Sequence, residues 1–94
     1  MADAAPLTRL YLIVEGRVQG VGFRWFVRSL AEELGLAGWV RNREDGAVEA
    51  EVEGDRRAVD AFLASLRSEH PTARVDRVVT RPSEVSREVG FTIR

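Results

Sequence analysis

Hydrophobic and polar residues alternate with a period of two from Leu7 to Glu15. Leu10, Leu12 and Val14 fall on one side and Arg9, Tyr11, Ile13 and Glu15 on the other, which predicts a strand with one strongly apolar face. A glycine-rich segment, Gly16 to Gly22, separates this strand from a run of helical period. There Phe23, Val27, Leu30, Ala31 and Leu34 form a stripe with Phe26 beside it, and Gly35 is placed to end the helix. Leu36 to Asn42 reads as a second strand, followed by an Asp45-Gly46 hairpin turn. Alternation is clearest in the third strand, where Val48, Ala50 and Val52 face one way and Glu49, Glu51 and Glu53 the other. Gly54-Asp55 breaks it. Asp55 is the expected N-cap of a second helix with Val59, Phe62, Leu63 and Leu66 on one face. His70-Pro71 closes that helix, Arg74 to Arg81 forms a fourth strand, and Gly90 to Arg94 adds a short fifth.

The order is βαββαβ with a strand appended. Two helices must then cover the apolar face of one sheet while the glutamate-bearing face stays in water. The expected fold is an α+β sandwich of ferredoxin-like, split βαβ layout: two helices on one face of a four- to five-stranded antiparallel sheet. Residues 7–94 are expected to form a single domain, preceded by a frayed tail over residues 1–6.

Composition narrows the chemistry. The 94 residues include no cysteine, which removes disulfides, thiolate nucleophiles and Cys-based zinc sites. All 14 basic residues are arginine, so neither a Schiff-base lysine nor a Walker lysine is available. A net charge of −1 argues against a dedicated nucleic-acid binder. No apolar run approaches the roughly 20 residues of a membrane span, and no signal-peptide pattern opens the chain, so a cytoplasmic location is expected.

The segment Gly16-Arg17-Val18-Gln19-Gly20-Val21-Gly22-Phe23-Arg24 carries the candidate chemistry. It joins a strand to a helix, where glycines can gather several backbone N–H groups beside the positive end of the helix. Arg24 and Arg28 lie early in that helix and Glu32 and Glu33 late, the reverse of what the helix dipole favours, at a few tenths to about 1 kcal/mol per misplaced charge. An anion bound at the helix start would account for the order; a carboxylate on a neighbouring loop is the plainer alternative for Arg24. Gly16 serves either a turn or a ligand. The side chain of Gln19 is either a further donor or solvated. Asn42 lies where the second strand ends, on the same edge of the sheet as the glycine loop. Its neutral amide suits orienting a water without adding charge, although asparagine beside Asp-Gly is also ordinary turn chemistry.

Gly16-x-Val18-Gln19-Gly20-Val21-x-Phe23-Arg24 and Gly38-x-Val40-x-Asn42-x-x-Asp45-Gly46-x-Val48-Glu49 resemble the two signature segments of the acylphosphatase family, with that family's spacing between them. The resemblance covers most of the chain, including Ala73-Arg74-Val75-Asp76 and Phe91-Thr92-Ile93-Arg94, and no position the family uses for chemistry departs. It implies hydrolysis of a carboxylic–phosphoric anhydride to a carboxylate and inorganic phosphate, with no metal, no cofactor and no covalent intermediate. Arg24 would bind the phosphate with backbone amides of Gln19, Gly20, Val21, Gly22, Phe23 and Arg24, and Asn42 would position the attacking water. The implied partners are a small acyl phosphate, with inorganic phosphate or sulfate as product or analogue. Nucleic acid and membrane are not expected partners. Short, charged edge strands favour a monomer.

Trp25 is expected to be exposed, His70 to be a surface residue at a helix end, and Tyr11, Ile13 and Trp39 to share the open sheet face with Glu49 and Glu51. Three further readings compete: a non-catalytic anion- or partner-binding module of the same fold, an RNA-binding domain, and a piece of a larger enzyme such as a hydrogenase-maturation protein. A chain standing alone with both motifs intact favours the enzyme.

Overall fold

The computed structural model describes residues 6–68 and 70–94. Its elements run β1 (Leu7–Arg17), α1 (Phe23–Glu33), β2 (Ala37–Asn42), β3 (Val48–Asp55), α2 (Arg56–Leu66), β4 (Arg74–Pro82) and β5 (Phe91–Ile93). The tail expected over residues 1–6 lies, apart from Pro6, outside the described residues. The strands form one sheet in the order β4-β1-β3-β2-β5. β3 is antiparallel to both β1 and β2, and Val14 and Asn42 both sit opposite Val48. The C-terminal end of β1 and Asn42 therefore share one edge of the sheet, as the strand order requires.

The sheet is mixed rather than wholly antiparallel, which corrects the expectation. β5 runs parallel to β2, with Gly38, Trp39 and Val40 opposite Phe91, Thr92 and Ile93. The reason is geometric. β4 and β5 occupy opposite edges, so residues 83–90 must cross the sheet before β5 can start. The crossing arrives at the beginning of β2, where the Gly38 N–H donates to the Gly90 carbonyl at 3.0 Å, and the chain then continues in the direction of β2.

Both helices lie on the face carrying Leu12, Val14, Val40, Val48, Ala50 and Val52. α1 contributes Phe23, Val27 and Ala31 to the buried core, with Phe26, Leu30 and Leu34 packed against it; α2 contributes Val59, Phe62 and Leu66. Each large side chain buried in this way stabilises the fold by about 1.5–3 kcal/mol. The helix ends follow the sequence signals. The Leu36 N–H donates to the Ala31 carbonyl and the Gly35 N–H to Glu32, a Schellman closure of α1. The Asp55 side chain accepts the Ala58 N–H at 2.9 Å and caps α2. At its other end, α1 has no side-chain cap. Its apolar stripe holds it in place, and its first turn is left open.

The glutamate face is not left to water. Glu49 and Glu53 are 6% and 4% exposed and Trp39 is 8% exposed, because arginines and the 83–90 crossing cover that face. Glu53 accepts the N–H groups of Ser86 (2.8 Å) and Arg87 (2.9 Å) and pairs with the buried Arg9 at 3.0 Å. Arg9 also reaches Glu51 and Glu88, and Glu49 is held by Tyr11 and Arg41. A period-two pattern assigns residues to faces, but it does not disclose that a later segment will return over one of them.

Burial alone would raise the Glu53 pKa, but hydrogen bonds from Ser86, Arg9 and Arg87 outweigh it and hold the pKa below the ordinary 4.5. A carboxyl with a depressed folded pKa stabilises the fold fully above its unfolded value and loses that contribution as pH falls through the folded one. Stability should therefore be flat from pH 7 to 5 and decline below about 4.5. Glu53→Gln cannot titrate. Melting curves against pH should give it a lower Tm at pH 7 and a shallower acid decline than wild type. Parallel acid declines for the two proteins would show that Glu53 does not carry the effect.

Candidate active site

The loop between β1 and α1 is pinned at both ends by core residues, Val18 and Phe23, each 1% exposed. Between them Gly20 and Gly22 adopt left-handed φ values of 75° and 78°, while Val21 does not. A Cβ on either glycine would meet no protein atom, so the backbone conformation, not crowding, selects glycine. Left-handed glycines separated by a residue of negative φ can turn successive N–H groups toward one concavity. Gly22 is also the N-cap of α1 and offers no side chain to the first turn. The open N–H groups and the positive helix end thus face the same region.

Gly16 has a different task. It sits at a bulge in the β1–β4 pairing, where a Cβ would collide with the Arg74 carbonyl. Close approach of two strands, rather than of a ligand, accounts for this third glycine.

Arg24, second in α1 and half-buried, has no Asp or Glu partner among the described residues. Its one protein hydrogen bond there is a long one, Nη1 to the main-chain oxygen of Arg94 at 3.4 Å. Arg28, by contrast, is paired with Glu32 at 3.3 Å and lies 5.5 Å from the ring centre of Trp25, which is exposed as expected. Of the two early cations, Arg28 has an acidic partner and Arg24, among the described residues, has none.

Asn42 ends β2 and is exposed. The tight turn that follows is closed without its amide: the Asp45 carboxylate accepts the Ala47 N–H at 3.0 Å, and the Arg43 N–H donates to the Ala47 carbonyl at 2.8 Å. That Ala47 N–H, and then Arg43, hold the Asp45 carboxyl below its ordinary pKa, so Asp45 is an engaged turn acid. The side chain of Asn42 makes no hydrogen bond to protein among the described residues. Arg24 and Asn42 are brought to one end of the sheet by β5: the Arg94 N–H donates to the Val40 carbonyl at 2.8 Å, and the Arg94 oxygen meets Arg24.

Three supports of the loop escaped the sequence. The side-chain amide of Gln19 is neither solvated nor free for a ligand; its Nε2 donates to the Arg43 and Ala47 carbonyls at 2.7 and 2.9 Å. The Thr72 hydroxyl donates to the Val21 carbonyl at 3.0 Å. His70 is half-buried rather than a plain surface residue: its ring meets Phe26 edge-on at 4.8 Å, and Nδ1 accepts the N–H groups of Thr72 and Ala73. All three bridge distant parts of the chain, which spacing cannot signal.

A groove on the open face beside Asn42 is lined by Arg41, Arg43, Glu44, Asp45 and Glu49. Its arginines are paired with Glu49 and Asp45, unlike Arg24. Among the described residues, no three His, Asp or Glu side chains gather as metal ligands, and no helix is long and apolar enough to cross a membrane.

The acylphosphatase family model matches residues 10–93. An acylphosphatase of Thermococcus kodakarensis is 46% identical over 85 residues, covering 90% of this chain and 93% of that protein. An acylphosphatase of Geobacillus kaustophilus is 46% identical over 88 residues, covering 93% and 94%. The crystal structure of the Bacillus subtilis acylphosphatase superposes with a TM-score of 0.88 at 39% identity, covering 94% of this chain and 98% of that one. With a matching family model, near-complete relatives and the same fold, this chain belongs to the acylphosphatase family.

Proposed function

We propose that this protein is an acylphosphatase that hydrolyses the carboxyl–phosphate bond of small acyl phosphates to a carboxylate and inorganic phosphate. The observation that carries the reading is the Arg24 guanidinium. Among the described residues it has no Asp or Glu partner, only a 3.4 Å contact to the main-chain oxygen of Arg94, and it stands beside an uncapped helix start entered through two left-handed glycines.

Phosphoryl transfer asks a protein mainly for positioning and charge stabilisation. The backbone N–H groups from Gln19 to Arg24 and the planar fork of Arg24 hold the phosphate and stabilise charge on its equatorial oxygens. Asn42 orients a water for in-line attack on phosphorus. The P–O bond to the acyl oxygen breaks and the carboxylate leaves with the bonding pair. A carboxylate is a good leaving group, so no strong general acid is required. The proton of the attacking water passes to a phosphate oxygen. The proposed mechanism uses no covalent intermediate and no metal. Residues 7–94 act as one domain, monomeric and cytoplasmic. Self-association through β4 is discouraged by the exposed Arg74, Asp76, Arg77 and Arg81. Nucleic acid is disfavoured by the net charge of −1 and by the acidic side chains Glu49, Glu51 and Glu53 of the open face, on which Arg9 and Arg41 are spent.

Phosphate release from acetyl phosphate, the simplest acyl phosphate, tests the reading. Activity should be the same with and without excess EDTA. No release above the uncatalysed rate would favour the non-catalytic module. Loss in EDTA reversed by a divalent ion would overturn the metal-free mechanism.

A further inference from the structure

Gln19 sits in the middle of the phosphate loop, yet its side chain points away from the helix start and into the β2–β3 hairpin. Both acceptors it meets are main-chain carbonyls, at 2.7 Å (Arg43) and 2.9 Å (Ala47), so the side-chain NH₂ must face them and both of its donors are used. Those two carbonyls belong to the residues that flank the tight turn, since the Arg43 N–H itself donates to the Ala47 carbonyl. Arg43 follows Asn42 directly. We infer that Gln19 is a positioning residue for the hydrolysis: its amide clamps the hairpin carrying Asn42 to the loop carrying the anion cradle, and so sets the reach from the oriented water to phosphorus.

The inference rests on the proposed roles of Asn42 and Arg24. It adds a residue whose side chain touches neither substrate nor water. Sheet pairing does not supply this link. β1 and β2 are not neighbours in the sheet; β3 lies between them, and its pairing to each ends at Val48, opposite Val14 and Asn42. Past that row the loop leaves on one side and the hairpin closes on the other. The Gln19 side chain ties them. The cradle has its own anchors in Val18, Phe23 and the Thr72–Val21 hydrogen bond. Cutting the clamp should therefore loosen Asn42 against the phosphate while the phosphate site keeps its shape.

Three readouts separate positioning from mere structural support. Gln19→Ala should lower kcat for acetyl phosphate by roughly 10- to 100-fold, the scale of an ångström-level misplacement of a reacting group. Its inhibition constant for inorganic phosphate should change by less than about threefold and its Tm fall by only a few degrees. In an Asn42→Ala background the same change should cost little further kcat, because the clamp acts through Asn42. Gln19→Glu should be as impaired as alanine at pH 8, where a carboxylate faces two carbonyl oxygens and cannot donate. Relative to wild type at each pH, its kcat should rise as the pH falls and the introduced carboxyl regains a proton to donate. This ratio is read within one folded protein, so it decides the matter even if Gln19→Ala is unstable.

Gln19→Ala with wild-type kcat, an equal loss in phosphate affinity, a loss fully additive with Asn42→Ala, or a flat Gln19→Glu ratio would each overturn the clamp. An unimpaired Asn42→Ala would instead sink the water-positioning role beneath it, so the two failures are told apart.

Discussion

Replacing Arg24 by lysine is expected to cost about 10²-fold or more in kcat/KM, nearly as much as replacing it by alanine. That is about 2.7 kcal/mol of transition-state stabilisation, the scale of removing one oriented donor from a site where charge develops. Lysine preserves the positive charge. It loses the planar fork that can meet two phosphate oxygens at once, and its ammonium is more strongly hydrated. The position makes the substitution severe. Arg24 is half-buried in the first turn, where the helix dipole disfavours a cation, and its one protein hydrogen bond among the described residues is to the main-chain oxygen of Arg94 at 3.4 Å. In the proposed mechanism a cation held there against the dipole, with no Asp or Glu beside it among the described residues, is accounted for by the phosphate it binds. The same variants should reveal the binding half of the role. Inorganic phosphate binding only the folded state should raise the wild-type Tm as it accumulates, by an amount set by the ratio of ligand to Kd. Arg24→Ala should lose most of that rise. Equal Tm shifts in the two proteins, or a lysine variant near wild-type activity, would reduce Arg24 to a diffuse surface charge.

The elements that were legible in the sequence are those fixed by local periodicity and caps. Phe23, Val27 and Ala31 are buried where a 3.6-residue period puts them, and Asp55 caps α2 as its place before the apolar stripe implies. Asn42 and the end of β1 share a sheet edge because, in the ferredoxin-like order, β3 lies between β1 and β2 and runs antiparallel to both. What the sequence withheld depends on the chain meeting itself at long range. The glutamates of β3 look like a solvated face until Arg9 and the crossing at Ser86 and Arg87 are in place over Glu53. β5 looks like one more antiparallel strand until the crossing delivers it to the start of β2. Gln19 sits inside the motif, but its partners lie 24 and 28 residues away, on carbonyls that any residue type would supply. A motif marks which positions carry chemistry. It does not say which atoms those positions touch.

Asn42→Ala is expected to separate chemistry from binding. In the proposed mechanism the loop and Arg24 hold the phosphate and Asn42 only the water, so the inhibition constant for inorganic phosphate should stay within a few-fold of wild type. kcat should fall by about 10² or more, because the attacking oxygen is no longer held in line. The fold should survive. Asn42 is exposed, its backbone pairing with Val48 is kept, and the turn beyond it is closed by Asp45, Ala47 and Gln19. The amide therefore stabilises nothing that alanine would remove. Asn42→Asp tests why the residue is an amide at all. It preserves the shape, but a carboxylate would stand within a few ångströms of a dianion, where like charges interact at several kcal/mol in a partly desolvated site. It should be no better than alanine in kcat and worse in phosphate affinity, with part of that affinity returning at lower pH as the carboxyl protonates. The measurements are kcat, the phosphate inhibition constant and a melting curve for each variant. An alanine variant that keeps its kcat, or loses it only by unfolding, returns Asn42 to the hairpin as an ordinary turn residue; an aspartate variant that matches wild type means the water is oriented by something other than a neutral donor.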